Sequence, residues 1–220
     1  MGLMRRRGLL AEASGGGGDI SDYVQDGIIF WLDGIENTRS GHNASATKWE
    51  NLANSAHDVT YNNSKVIGDK YCIPNGSSSM ANARSDSRVT IEVVMDWVDN
   101  GATQMITPWY GNNYGTVWVH TNGQIFFNAQ SNNSHGVGVI SGINTYTAQQ
   151  SRSYYLNGNA ATEVNGTGSW SSQYGKVLFY YNSQYPRPCV SKIYAIRIYN
   201  RALNAAEILQ NAQVDAARFR

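Results

Sequence analysis

Lys192-Ile-Tyr-Ala-Ile-Arg-Ile-Tyr-Asn-Arg-Ala-Leu-Asn-Ala-Ala-Glu-Ile-Leu-Gln-Asn211 decides how this chain is read. Ile196 and Ile198 alternate with Arg197 and Tyr199, the period-2 pattern of a strand with two different faces. Asn204 then offers a side-chain oxygen to the open N–H groups of a first helical turn. Glu207, three residues on, can reach back, so the pair predicts a capping box. Leu203 and Ile208 stand where a hydrophobic staple would close the turn. Ile208, Ala212, Ala216 and Phe219 follow at three- and four-residue steps, which predicts a short helix with one apolar face.

The other strongly patterned stretch is Val89–Val98. Ile91, Val93 and Met95 lie on one face of a predicted strand, and Glu92 and Asp96 on the other, facing solvent. Ile28–Leu32 is apolar on both faces, as a buried strand would be. Trp49 and Leu52 are placed to hold the polar loop after Asp33 against the body. Weaker strands are expected within Val59–Lys70, and further ones at Met105–Trp109, Val117–His120, Gly136–Ile140, Ser153–Leu156 and Lys176–Tyr181. Asn122-Gly123 before Ile125-Phe-Phe predicts a hairpin with a type I′ turn, and Asn157-Gly158 a second tight turn. Many strands, short turn intervals and one helix predict an antiparallel sandwich.

Several pieces resemble the laminin-G-like, concanavalin-A-like jelly-roll domains, and they occur in that family's order over roughly residues 20–220. They are Gly27-Ile-Ile-Phe-Trp-Leu-Asp-Gly, Lys48-Trp-Glu-Asn-Leu-Ala-Asn-Ser-Ala-His-Asp, Val89-Thr-Ile-Glu-Val-Val-Met-Asp, Tyr154-Tyr-Leu-Asn-Gly and Ala195-Ile-Arg-Ile-Tyr-Asn-Arg-Ala-Leu. In the second, Glu50 and Ser55 depart from the Asp and Gly that the family places there. The resemblance implies an all-β, two-sheet antiparallel jelly roll with one short C-terminal helix over residues 19–220. It implies carbohydrate or cell-surface recognition as the task.

Charged residues are 15% of the chain and the formal net charge is +1, so no general attraction to nucleic acid or to an anionic membrane follows. No apolar run approaches the ~20 residues of a membrane span. Cys72 and Cys189 read as buried or half-buried free thiols, with a bridge between them left open by spacing.

Residues 1–18 differ from all that follows. Arg5, Arg6 and Arg7 precede Leu9 and Leu10 and a run of four glycines. The apolar part is shorter than an export signal's ~7–15 residues, and Arg6 stands where a myristoylation motif wants Ser or Thr. The stretch is therefore expected to be neither export signal nor lipid anchor. It reads as an N-terminal attachment arm gripping a partner through Met4, Arg5, Arg6, Arg7, Leu9 and Leu10. A basic, glycine-jointed leader before one such domain resembles the layout of accessory virion proteins of gut bacteriophages. That layout implies a virion-surface location, assembly in the bacterial host cytoplasm, and a capsid or tail protein as partner. A homo-oligomer is compatible with it.

The search for chemistry leads to an expected binding module and not an enzyme. Glu92 and Asp96 would stand ~13 Å apart along one strand, beyond the carboxylate spacing of retaining or inverting glycosidases, with no third carboxylate between them. His42, His57, His120 and His135 show no metal-site spacing. No cofactor is implied. A structural calcium is the exception, since relatives of this fold carry one at the rim; Asp33 and Asp58 are its candidate ligands. For a glycan, Trp109, Tyr110 and Tyr114, then Trp170 and Tyr174, then Tyr185, stand among Asn, Gln and Ser. Rings of this kind cover sugar C–H groups while amides meet hydroxyls. Alternatives are a glycoside hydrolase on the same fold and a purely structural capsid or tail component.

Overall fold

The computed structural model describes residues 18–53, 58–61, 65–74, 80–81, 89–107, 117–130, 133–164, 177–178 and 189–220. After a 3₁₀ turn at Ile20–Asp22 come β1 (Ile28–Asp33), β2 (Lys48–Trp49), β3 (Val59–Thr60), β4 (Val66–Ile67), β5 (Cys72–Ile73), β6 (Met80–Ala81) and β7 (Thr90–Asp96). Then follow β8 (Gln104–Thr107), β9 (Val117–His120), β10 (Gln124–Gln130), β11 (Asn133–Gly138) and β12 (Ile143–Gln149). The last are β13 (Tyr154–Leu156), β14 (Asn159–Ala161), β15 (Val177–Leu178), β16 (Lys192–Tyr199) and the helix α1 (Ala205–Phe219).

The large sheet runs β14-β13-β12-β7-β16-β5-β4, with β1 also paired to β16. The small sheet runs β11-β10-β9-β8, and β2–β3 and β6–β15 are short ribbons. Every strand pairing is antiparallel. The two sheets share one core. Ile91, Val93 and Met95 of β7, Tyr146 and Ala148 of β12, and Ile196 and Ile198 of β16 meet Ile106, Val117, Val119, Ile125, Phe127 and Val137 of the small sheet. Side-chain alternation puts these residues inward, so the expected inner faces of β7 and β16 are the observed ones.

The other face of the large sheet was expected to meet solvent at Glu92 and Asp96, and for Glu92 the structure corrects that. α1 covers it, so β7 and β16 are buried on both sides, and Glu92 is 0% exposed. Asp96, at the end of β7, is half-buried. The capping box forms as predicted: Asn204 accepts from the N–H groups of Ala206 and Glu207, and Glu207 accepts from the Asn204 N–H at 2.8 Å. Leu203 and Ile208 pack together beside it. The buried side of α1 holds the expected Ile208, Ala212 and Phe219, with Asn211, Asp215 and Arg218 buried among them.

Those three polar residues answer polar groups on the sheet. The Arg197 Nε donates to Glu92 Oε2 at 2.8 Å, and its two Nη atoms donate to Asp215 at 2.9 and 2.6 Å. Asn211 donates to Glu92 and to the Tyr199 hydroxyl, each at 3.0 Å. Tyr23 and Thr145 donate their hydroxyls to Asp215 at 2.7 and 2.8 Å.

β12 is the strand that sequence pattern passes over. Its Thr145, Thr147 and Gln149 face α1 and are buried, so Ile143-Asn-Thr-Tyr-Thr-Ala-Gln lacks an apolar signature although it borders β7. The Asn122-Gly123 hairpin exists, but its turn is not type I′. His120 pairs with Gln124 across a three-residue loop in which Gly123 has φ +72° and Asn122 has negative φ. That is a type I turn closed by a left-handed residue. The type I′ geometry occurs instead at Asn157 and Gly158, with φ +51° and +82°. Cys72 and Cys189 are both buried free thiols, and burial pushes each up to about 12.

Candidate functional site

All six predicted ligand-binding aromatics, Trp109, Tyr110, Tyr114, Trp170, Tyr174 and Tyr185, lie outside the described residues, as do His57 and the arm residues Met4, Arg5, Arg6, Arg7, Leu9 and Leu10. The strands that bound the aromatic segments are described. Residues 108–116 join β8 to β9. Residues 165–176 and 179–188 flank β15, and β15 lies alongside β8. Each of the three segments therefore begins or ends at β8 or at the neighbouring β15.

That sheet's outer surface is built in two rows by strand register. Trp118 stands opposite Phe126, which stands opposite Gly136; His120 stands opposite Gln124, which stands opposite Gly138. The neighbours Val117, Val119, Ile125 and Val137 point into the core, which is why these alternate residues point out. Phe126 is the floor, 4% exposed, with the Trp118 ring 5.8 Å from it and the His120 ring edge-on at 6.4 Å. Trp118 is half-buried and His120 exposed. The Asn122 N–H points at His120 Nδ1 (3.4 Å), and the Asn122 amide donates to Gln124 Oε1 at 2.8 Å. Beside Gln124, Gly138 faces open space. From Asn100 to Ser151 the sequence contains no Asp, Glu, Lys or Arg, so the strands of this sheet carry no ionised carboxylate, ammonium or guanidinium. Sequence reading missed Trp118 as a surface residue; the Val-Trp-Val-His alternation was the signal that could have found it.

The two candidate calcium ligands sit in different surroundings. Asp33 is fully buried. Its Oδ1 accepts from Arg218 at 3.0 Å and from the N–H groups of Ile35 and Glu36. Burial holds its carboxyl above the usual range. Asp58 pairs with Arg39 and accepts from the Asn51 N–H at 3.1 Å. Among the described residues, no group of three or more His, Cys, Asp or Glu could hold a metal ion. His42 is exposed, with Nδ1 3.2 Å from the Ile35 carbonyl.

Burial also raises the Glu92 carboxyl, against the nearby Arg197 guanidinium, which lowers it. A carboxyl raised in the folded state favours folding at pH below its unfolded value, and that contribution is lost as pH rises through the folded value. Glu92→Gln keeps an acceptor for Arg197 and Asn211 and turns an amide N–H₂ towards Thr147 Oγ1, which can accept. The variant's thermal midpoint, relative to wild type, is therefore expected to rise as pH climbs above the ordinary carboxylate range, then level off. Thermal melts across a pH series read this directly. A difference independent of pH would mean that Glu92 titrates as an ordinary carboxyl.

No family model and no curated protein matches the chain. Solved structures do. A Trypanosoma rangeli sialidase in complex with 2,3-difluorosialic acid, described as a covalent intermediate, aligns with TM-score 0.62 and 13% identity over 94% of this chain and 37% of the sialidase chain. The botulinum neurotoxin serotype D binding domain aligns with TM-score 0.63 and 10% identity, over 86% of this chain and 52% of that one. The binding domain of botulinum neurotoxin DC in complex with SialylT gives TM-score 0.55 and 13% identity, over 89% and 52%. What they share with this chain is a β-sandwich fold. The chain spans about a third of the sialidase's length and about half of each toxin domain's.

The expectation that the body is not an enzyme is corrected by this result. Sialidase chains align with this fold over part of their length, so a strand without paired carboxylates does not exclude catalysis. A carboxylate pair is one route to glycosidic cleavage, and tyrosine nucleophiles provide another.

Proposed function

We propose that the chain is a carbohydrate-recognition module. The observation that carries this reading is the small sheet: a layer without Asp, Glu, Lys or Arg, with aromatic and amide groups outward, whose edge strand β8 and the neighbouring β15 begin or end the three aromatic-rich segments. Aromatic faces beside neutral hydrogen-bonding groups suit sugars. The solved toxin domain with SialylT on a similar fold supports the same reading. The laminin-G-like sequence pieces agree with it.

In this reading residues 1–18 attach the module to a capsid or tail protein of a phage particle, and residues 19–220 are displayed. The support is the difference in composition across Gly18 and the position of Gly18 itself. Its carbonyl accepts from Arg218 at 3.2 Å, on the helix side of the large sheet and so away from the small sheet. A glycoside hydrolase on the same fold is the second reading, favoured by the sialidase likeness.

The test is a glycan array probed with the whole chain, with the same glycans then analysed for cleavage products. Retention of a defined set of glycans is the expected result. Products released from bound glycans would establish the second reading. No retention of any glycan would overturn both. Binding by residues 19–220 equal to the whole chain, with incorporation into particles lost, is expected if the arm is the attachment device.

A further inference from the structure

We infer that the ligand of this module is an uncharged pyranoside chain, seated on the outer face of the small sheet against Trp118, Gln124 and Gly138. The inference rests on the carbohydrate-recognition reading and narrows it to one surface and one class of glycan.

The shape comes first. A sheet face becomes a groove where a row of side chains stands beside a row without them. Here β9 contributes Trp118 and His120, β10 contributes Phe126 and Gln124, and β11 contributes only Gly136 and Gly138. Phe126 and Gln124 of β10 border that row, and Trp118 stands one strand further on, an aromatic ring whose orientation is fixed by a buried partner: it rests 5.8 Å from Phe126, and Phe126 is 4% exposed. A ring so held covers apolar C–H groups with little loss of rotational freedom. The open end is Gly138, beside which no heavy atom lies within 4 Å of a built Cβ position. Gly136 is closed instead, since a Cβ there would stand 1.8 Å from the Ile125 carbonyl oxygen.

The polar groups come next. The Asn122 amide holds Gln124, and the Asn122 N–H points at His120 Nδ1, so the row beside the groove is ordered before any ligand arrives. Amide and imidazole groups donate to and accept from hydroxyls, and groups fixed beforehand lose less entropy on binding.

Charge decides the class of sugar. A sialic acid carboxylate or a sulfate buried against this face would need a guanidinium, an ammonium or a ring of N–H donors to replace its hydration. The stretch from Asn100 to Ser151, which contains all four strands of the small sheet, has no Arg or Lys; Arg152, near the Val164 that bridges to Gly136, is engaged in an ion pair with Glu163 at 2.9 Å. A neutral hexose or N-acetylhexosamine carries no such cost. The face thus differs in ligand class from what the SialylT complex would suggest by analogy.

The experiment uses the whole chain on immobilised neutral hexose and N-acetylhexosamine oligosaccharides, each beside its sialylated and sulfated counterpart. Neutral glycans should be retained, and the added anionic group should give no gain. Trp118→Ala should weaken binding by about tenfold or more, with Trp118→Phe restoring most of it. Because Trp118 packs on Phe126, its loss can also disturb the sheet, so a second variant is needed. Gly138→Ile adds a side chain into open space without positive φ. It should melt like wild type and lose neutral-glycan binding by a similar factor. Neutral glycans held equally by wild type, Trp118→Ala and Gly138→Ile would overturn this site and leave the carbohydrate reading standing. Retention only of sialylated or sulfated glycans would overturn the ligand class. Retention of no glycan would overturn both.

Discussion

Arg197→Met should destabilise the protein by about 3–5 kcal/mol, the cost of removing one partner from a buried ionic network. Arg197 is 0% exposed and lies between two carboxylates, Glu92 at 0% and Asp215 at 2%. Its Nε reaches one and its two Nη atoms the other, and the guanidinium carbon stands 4.3 Å above the Tyr23 ring. Without it, two buried carboxyls face each other across the seam between α1 and the large sheet. The hydroxyls of Tyr23 and Thr145 and the Asn211 amide would remain, but they carry no positive charge. Arg197→Lys should recover little, because one ammonium cannot reproduce the fork that spans both partners. Urea titration followed by circular dichroism measures the loss. Combining Arg197→Met with Glu92→Leu and Asp215→Leu should recover most of it, since the penalty belongs to uncompensated charge rather than to missing volume. A single-variant change below about 1 kcal/mol would mean that the seam is wetter than the structure has it.

Trp49→Ala should cost a similar ~3–5 kcal/mol. Trp49 is fully buried on the short β2 strand, stacked on Tyr61 with ring centroids 6.3 Å apart. Its Nε1 donates to the Asp33 carbonyl at 2.8 Å. The residue thus ties the long connection after β1 to the end of that strand. Truncation removes a large core side chain and leaves the Asp33 carbonyl without this donor. Equilibrium unfolding gives the magnitude, and faster limited proteolysis between residues 34 and 53 is expected with it. An unchanged cleavage rate there would show that the connection is held by its own hydrogen bonds, such as those of Asn37 and Asn43.

What sequence shows of this fold, and what it hides, divides along one physical line. Apolar alternation at Ile91, Val93, Met95, Ile196 and Ile198 reports the inside of the sandwich, because nothing else satisfies those residues. The capped start of α1 is equally plain, because Asn204 and Glu207 act locally. The outer face of the large sheet is hidden. Glu92, Arg197, Thr145 and Thr147 look like surface residues, and only the arrival of Asp215 and Asn211 from a helix late in the chain makes them interior. β12 is lost to sequence reading for the same reason. The six aromatics chosen as ligand contacts fall in connecting segments outside the described residues. The surface the structure does describe, with Trp118 opposite Phe126 and Gln124 opposite Gly138, depends on register between strands, which no single strand records.

The absence of Asp, Glu, Lys and Arg between Asn100 and Ser151 bears on kinetics as well as ligand choice. An uncharged ligand is neither drawn in from solution nor turned away by the protein's charges. Encounter with the small sheet should then proceed at the same rate in dilute buffer and in sea-strength salt. Discrimination between sugars must arise after contact, in how long each one stays.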